Sequence, residues 1–113
     1  MPKVKDKFDG QAIRVPTICG SISDLTYLVR TKTTLAKVNS AFKKAARSKD
    51  LKHVLAVTNQ PLVSSDIIQS EHAAIVDLPS TKVLGDTLVK VMVWYDNEWA
   101  YSKQLTQLAL LIA

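Results

Sequence analysis

The sequence contains one cysteine, three glycines and four prolines among 113 residues. A single cysteine, Cys19, excludes an internal disulfide and is typical of a reducing compartment, so we expect a cytoplasmic protein. Three glycines are too few to build a glycine-rich phosphate-binding loop. No apolar run approaches the roughly 20 residues of a membrane-spanning helix, and the N-terminal residues lack the apolar segment of a signal peptide.

Positive charge exceeds negative charge in this chain. Lysine and arginine number 15 against 10 aspartates and glutamates, which gives a formal net charge of +5. Such a balance permits weak attraction to phosphates or nucleic acid. No recognisable nucleic-acid-reading module accompanies the charge, and lysines on the wet face of a helix are routine solubility residues, so we do not expect a nucleic-acid partner.

Apolar periodicity predicts one α+β domain, or part of one. Alternating patterns predict strands over residues 11–15, 20–31, 53–57, 73–78, 81–84 and 88–95. Helical spacing predicts helices over residues 34–48 and 98–112, the first capped by Thr33 or Thr34 and the second with Tyr101, Leu105, Leu108 and Ile112 on one face. Strands clustered around few helices favour a mostly antiparallel mixed sheet with helices packed on one face.

The segment 93–102, Val-Trp-Tyr-Asp-Asn-Glu-Trp-Ala-Tyr-Ser, is the most informative part of the sequence. It joins the last predicted strand to the last predicted helix and contains both tryptophans. Its Asp-Asn-Glu run is typical of a helix start, because carboxylate and amide oxygens accept hydrogen bonds from the unpaired amides of the first turn. Composition alone therefore favours a capped helix with buried aromatic side chains.

This segment closely resembles the Trp-Tyr-Asp-Asn-Glu-Trp-Gly-Tyr-Ser signature of phosphorylating glyceraldehyde-3-phosphate dehydrogenases and their erythrose-4-phosphate dehydrogenase relatives. Other segments resemble the same family in the same order: residues 12–17, 24–25, 63–66, 72–77 and 88–91. The resemblance implies that residues 1–113 are a partial C-terminal catalytic domain. It also implies that the N-terminal nucleotide-binding domain and the nucleophilic cysteine segment of the family are absent from these residues.

The resemblance assigns ligand-binding roles to three residues. Arg14 matches the arginine that binds substrate phosphate or inorganic phosphate, and a guanidinium suits such an anion because it donates two parallel hydrogen bonds. The alternative for Arg14 is an ion pair with Asp24. Asn97 matches the asparagine that holds the nicotinamide carboxamide, with helix capping as an alternative or additional role. Tyr101 matches the aromatic residue beside the nicotinamide ring.

The same resemblance assigns no catalytic residue and no metal ligand to this chain. Cys19 falls where the family usually carries an asparagine, away from the nucleophile position, and we expect it to be a small packed residue. His72 matches a family position without a catalytic role, and His53 matches a position with no role that we can assign. We therefore expect both histidines to be structural or surface residues.

The resemblance implies a function for the complete enzyme, which would oxidise glyceraldehyde-3-phosphate or erythrose-4-phosphate with NAD or NADP and inorganic phosphate, as a homo-oligomer. The isolated piece is expected to bind no cofactor and to be inactive. The alternative is a non-catalytic oligomerisation or interaction module from a truncated gene, which Ala100 in place of glycine and Cys19 in place of asparagine mildly favour. The choices between the two substrates and between the two cofactors stay open.

Overall fold

The structure, a computed structural model, describes residues 4–113. Its elements are a four-stranded sheet, two α-helices and a 3-10 turn: β1 (Ser21–Leu28), α1 (Leu35–Ala46), β2 (Leu55–Thr58), the turn at Ser64–Ile67, β3 (Ala74–Leu84), β4 (Leu88–Tyr95) and α2 (Trp99–Ile112). The strand order is β1-β4-β3-β2. Strand β4 is antiparallel to both neighbours, whereas β2 runs parallel to β3. The mostly antiparallel mixed sheet of an α+β fold is confirmed.

The core lies between the sheet and α1. Alternate residues of the two central strands are buried: Val76, Leu78, Val89 and Val91. The first helix covers this face because its apolar residues recur at helical spacing, among them Val38 and Phe42. It begins where the sequence predicts, since the hydroxyl of Thr34 accepts a hydrogen bond of 3.3 Å from the Lys37 amide.

The second helix is attached mainly at its beginning. Ala100 is buried, whereas the predicted apolar face formed by Tyr101, Leu105, Leu108 and Ile112 is exposed. The helix that packs against the face of the sheet is therefore α1. Within residues 4–113, neither helix has the length and apolar character needed to cross a membrane.

Several predicted strand boundaries are wrong. Residues 11–15 form no strand, because strand-forming residues still need a neighbouring strand, and β1 pairs only with β4 within the described chain. The two strands predicted over 73–84 are one strand, β3, with a register shift between Asp77 and Lys82 where Pro79 has no amide to donate. The first strand is shorter than predicted, since it begins after Gly20, whose φ is +91°.

Candidate functional site

Three segments meet at the beginning of α2. A methyl group added to Gly20 would lie 3.2 Å from the Ile67 side chain and 3.2 Å from the Ser64 carbonyl oxygen, so the 3-10 turn packs directly against this glycine. Ile67 is fully buried at the contact. We call this region the β1–α2 junction and define it as residues 19–21, 64–69 and 96–99.

Asp96 is the buried centre of the junction, with 2% of its surface exposed. Its Oδ1 accepts hydrogen bonds of 2.8 Å and 2.7 Å from the amides of Glu98 and Trp99. Its Oδ2 accepts one of 2.8 Å from the amide of Gln69, whose φ is +66°. The predicted helix-start chemistry is confirmed, and Asp96 is the residue of the Asp-Asn-Glu run that supplies it.

The hydrogen bonds of Asp96 decide its protonation state. Burial alone raises the pKa of a carboxyl group, but here the donors at Trp99, Gln69 and Glu98, with the Cys19 thiol, outweigh it and lower the pKa below its usual value. The carboxylate is therefore ionised near neutral pH, and its charge stabilises the N-terminal end of α2.

Asn97 turns its side chain away from the helix and towards the beginning of β1. Its Oδ1 accepts hydrogen bonds of 3.0 Å from the Gly20 amide and 3.3 Å from the Ser21 hydroxyl, and the Cys19 Sγ lies 3.8 Å away. Capping of α2, the alternative role considered for Asn97, is instead performed by Asp96. The residue is exposed, and its Nδ2 donates no hydrogen bond to residues 4–113.

The two residues Ala100 and Tyr101 differ in exposure to solvent. Tyr101, one helical turn beyond Asn97, is 67% exposed. Ala100, which replaces the glycine of the family signature, is buried, so its extra methyl group points into the protein and not towards the exposed side chains. The departure at this position therefore leaves the outer face of the helix start unobstructed.

Arg14 lies in an extended segment before the junction. Every residue from 8 to 18 is exposed, and within residues 4–113 the Arg14 guanidinium forms no hydrogen bond or ion pair. Asp24, the alternative partner of Arg14, instead accepts a hydrogen bond of 2.7 Å from Lys90 Nζ. Gly20 lies six positions after Arg14 in the sequence, which limits their Cα separation to about 20 Å.

Cys19 is half-buried, and its thiol lies 3.4 Å from Asp96 Oδ1. Burial raises the pKa of this thiol, and the hydrogen bond to Asp96 and the negative charges of Asp96 and Glu98 raise it further, although the Gly20 amide acts in the opposite direction. A nucleophilic thiolate needs a lowered pKa. The environment of Cys19 is thus the reverse of an activated nucleophile.

Neither histidine belongs to the junction. His53 is exposed, and the His72 amide donates to the Ser70 hydroxyl at 3.3 Å. No group of histidine, cysteine and acidic side chains able to hold a metal ion occurs within residues 4–113. Sequence reasoning did not identify Gly20, Ser21 or Gln69 as junction residues. The one sequence signal for the junction is Gly20 itself, one of three glycines, placed at the first position of the strand predicted over residues 20–31.

Comparison with known proteins shows the family of this chain. Residues 1–97 match the family model described as glyceraldehyde 3-phosphate dehydrogenase, C-terminal domain. The chain belongs to this family. A glyceraldehyde-3-phosphate dehydrogenase of Mycobacterium tuberculosis is 46% identical over 112 residues, covering 99% of this chain and 32% of the relative. A chloroplastic glyceraldehyde-3-phosphate dehydrogenase of Arabidopsis thaliana is 44% identical and covers all of this chain and 28% of the relative.

The match thus confirms the family suggested by the segment 93–102. The chain spans about a third of the length of the curated relatives that it matches. The match covers the β1–α2 junction up to Asn97, together with Arg14.

Proposed function

We propose that residues 1–113 are the C-terminal part of the catalytic domain of an NAD- or NADP-dependent phosphorylating aldehyde dehydrogenase, and that a nucleotide-binding domain lies outside these residues. The complete enzyme oxidises glyceraldehyde-3-phosphate or erythrose-4-phosphate in the presence of inorganic phosphate, as a cytoplasmic homo-oligomer. The family match and the names of the relatives support the glyceraldehyde-3-phosphate dehydrogenase part of this proposal.

The observation that carries the proposal is the orientation of the Asn97 amide. Its oxygen is satisfied by the Gly20 amide and the Ser21 hydroxyl, which leaves the amide nitrogen as an exposed donor. A nicotinamide carboxamide offers an acceptor that suits such a donor. The bound nicotinamide supplies the hydride acceptor, and the role of Asn97 is to fix which face of the ring meets the substrate.

Tyr101 supports the same role. Tyr101 lies in the first turn of α2, four residues after Asn97 in the sequence, and both residues are exposed. An aromatic ring supplies rigid apolar surface against which a heterocycle packs. Together the two side chains offer one polar and one apolar contact to a nicotinamide group.

Arg14 serves as the phosphate-binding residue in this proposal. Its guanidinium is always charged, and it is exposed and free of acidic partners within residues 4–113. An arginine already paired with a carboxylate would have to break that pair to hold phosphate, and Arg14 has no such pair among residues 4–113. Its guanidinium is therefore available to donate hydrogen bonds to a phosphate.

The 113-residue chain alone is proposed to be inactive and to bind no cofactor tightly. The raised pKa of Cys19 leaves it protonated near neutral pH, and the family nucleophile segment does not occur in these residues. Incubation of the chain with NAD, phosphate and glyceraldehyde-3-phosphate should therefore give no NADH. Turnover that Cys19→Ser abolishes would contradict this proposal.

The assembled activity is tested by exchanging the matching third of the Mycobacterium tuberculosis relative for this chain. We expect the chimaera to reduce NAD with glyceraldehyde-3-phosphate and phosphate. Arg14→Gln should raise the KM for phosphate about tenfold or more, since a charge-assisted hydrogen bond contributes about 1.5–3 kcal/mol. Asn97→Asp, which removes the donor, should lower kcat/KM for NAD by a similar factor.

The control for charge is Arg47→Gln, because Arg47 is an exposed arginine at the end of α1. It should leave both constants unchanged. A folded, active chimaera in which Arg14→Gln behaves like Arg47→Gln would remove the phosphate role. Parallel assays with erythrose-4-phosphate and NADP decide the substrate and cofactor preferences that this chain allows.

A second candidate function is a non-catalytic association module. The exposed apolar side chains at the end of α2 favour it, since Leu108, Leu111 and Ile112 gain stability only by packing against another surface. This candidate predicts a stable oligomer of the 113-residue chain in sedimentation experiments, together with a folded chimaera that reduces no NAD.

A further inference from the structure

The Asn97 amide is held from one side only. A backbone N–H donates and cannot accept, so the Gly20 amide at 3.0 Å fixes the oxygen of Asn97, and not its nitrogen, on the side of β1. The Ser21 hydroxyl faces the same oxygen and donates a hydrogen bond of 3.3 Å to it. The nitrogen is left on the opposite, exposed side.

We propose that Gly20 and Ser21 are positioning residues for cofactor recognition, because they lock the Asn97 amide with its nitrogen outward. This inference rests on the proposed function and assigns two further residues to it. The site then selects a ligand group that accepts a hydrogen bond, such as the carbonyl oxygen of the carboxamide, over a group that only donates. Without the lock the amide can rotate and present either end.

The junction gives this lock a rigid base. Gly20 is confined by Ile67 and the Ser64 carbonyl oxygen, and Asn97 directly follows the buried Asp96, which is bound to three backbone amides. Both ends of the Gly20–Asn97 hydrogen bond are therefore fixed by contacts that do not involve a ligand. A group oriented before binding loses less entropy when the ligand arrives.

The first test uses the 15N-labelled 113-residue chain and needs no cofactor. Hydrogen exchange of the Gly20 amide should be slow in the wild type and in Asn97→Asp, which keeps an acceptor, and at least tenfold faster in Asn97→Ala. Ser21→Ala should increase the fast motion of the Asn97 side-chain NH2 group, and Ser21→Thr should restore the wild-type value because it keeps the hydroxyl. Two results would overturn the proposal. One is an equal exchange rate of the Gly20 amide in all variants, and the other is motion of the Asn97 NH2 group that Ser21→Ala does not change.

The second test uses the chimaera with the Mycobacterium tuberculosis relative. Ser21→Ala should lower kcat/KM for NAD about threefold to tenfold and leave the KM for phosphate unchanged, with rescue by Ser21→Thr. The 3-acetylpyridine analogue of NAD keeps the carbonyl acceptor and lacks the amide donor, so its Kd should remain within about threefold of that for NAD. A loss of analogue binding beyond tenfold would contradict recognition through the acceptor.

The two proposals fail separately. An active chimaera in which Ser21→Ala changes neither Asn97 motion nor kcat/KM refutes the positioning role and leaves the proposed function intact. A chain in which Asn97 is locked as described, within a folded chimaera that reduces no NAD, refutes the proposed function. In that case the lock is a structural feature of the junction and the cofactor role assigned to it is wrong.

Discussion

Asn97 and Arg14, the two polar residues proposed to hold ligands, lie in regions that differ in how they are ordered. The β1–α2 junction around Asn97 is bound by hydrogen bonds between residues more than 70 positions apart. Within residues 4–113, the segment 8–18 around Arg14 has only local hydrogen bonds, such as the 2.8 Å bond from the Gly10 amide to Asp9. Its apolar side chains are exposed, and Ile18 is 100% exposed.

The difference shows which part of a ligand site this chain organises by itself. Contacts within residues 4–113 fix the amide of Asn97, whereas nothing in them fixes the guanidinium of Arg14. The exposed apolar residues of segment 8–18 favour packing of this segment against a further surface. We expect that packing to fix the position of the Arg14 guanidinium. Variants in the two regions should therefore differ sharply in their effect on stability.

The largest expected effect is at Asp96. Asp96→Ala leaves the backbone amides of Gln69, Glu98 and Trp99 without their carboxylate acceptor, and we expect a loss of about 2–4 kcal/mol in the free energy of unfolding, measured by urea denaturation. Asp24→Ala is the matched control, since its exposed ion pair with Lys90 contributes about 1 kcal/mol or less. Equal losses for the two variants would show that the junction is not a stabilising centre.

The glycines give a graded test of the junction. Gly20→Ala combines a positive φ of 91° with contacts of 3.2 Å and should cost about 2–3 kcal/mol. Gly85→Ala, at φ +54° with open space around it, should cost about 1 kcal/mol, and Gly10→Ala in open space should be nearly neutral. Thermal unfolding measures all three. A cost for Gly20→Ala no larger than that for Gly85→Ala would mean that crowding by Ile67 does not constrain Gly20.

The sequence determined the elements better than it determined their contacts. Strand β4 was predicted to the residue, because β-branched and aromatic residues run from Leu88 to Tyr95 without a breaker. The start of α1 followed from Thr34, and the helix start at α2 followed from the Asp-Asn-Glu run. Local patterns sufficed for these features, since each depends on neighbouring residues.

The junction itself was not predictable from local patterns. The bonds from Gly20 and Ser21 to Asn97 join residues 77 and 76 positions apart, and no periodicity encodes such a pairing. The strand predicted at residues 11–15 is wrong for a related reason, since strand-forming residues were present but no neighbouring strand pairs with them in the described chain. The ligand-binding roles of Arg14 and Asn97 were inferred from the family resemblance. A family resemblance carries information about long-range contacts that secondary-structure propensity lacks.

A smaller effect distinguishes the two regions by pH. The pKa of Asp96 is lower in the folded state than in the unfolded chain, so its contribution to stability is present above the unfolded value of about 3.9 and is lost as the pH falls through the folded pKa. The difference in unfolding free energy between the wild type and Asp96→Asn should therefore shrink between pH 6 and pH 2. A difference independent of pH would show that the Asp96 charge contributes nothing.

The smallest expected effect is at Arg14. Arg14→Gln removes an exposed side chain without a partner in residues 4–113, so the free energy of unfolding should change by less than about 0.5 kcal/mol, as for Arg47→Gln. Urea denaturation of both variants checks this. A loss above about 1 kcal/mol for Arg14→Gln alone would mean that the guanidinium is held by the chain itself. It would then no longer be free to bind phosphate, and the contrast with Asn97 would disappear.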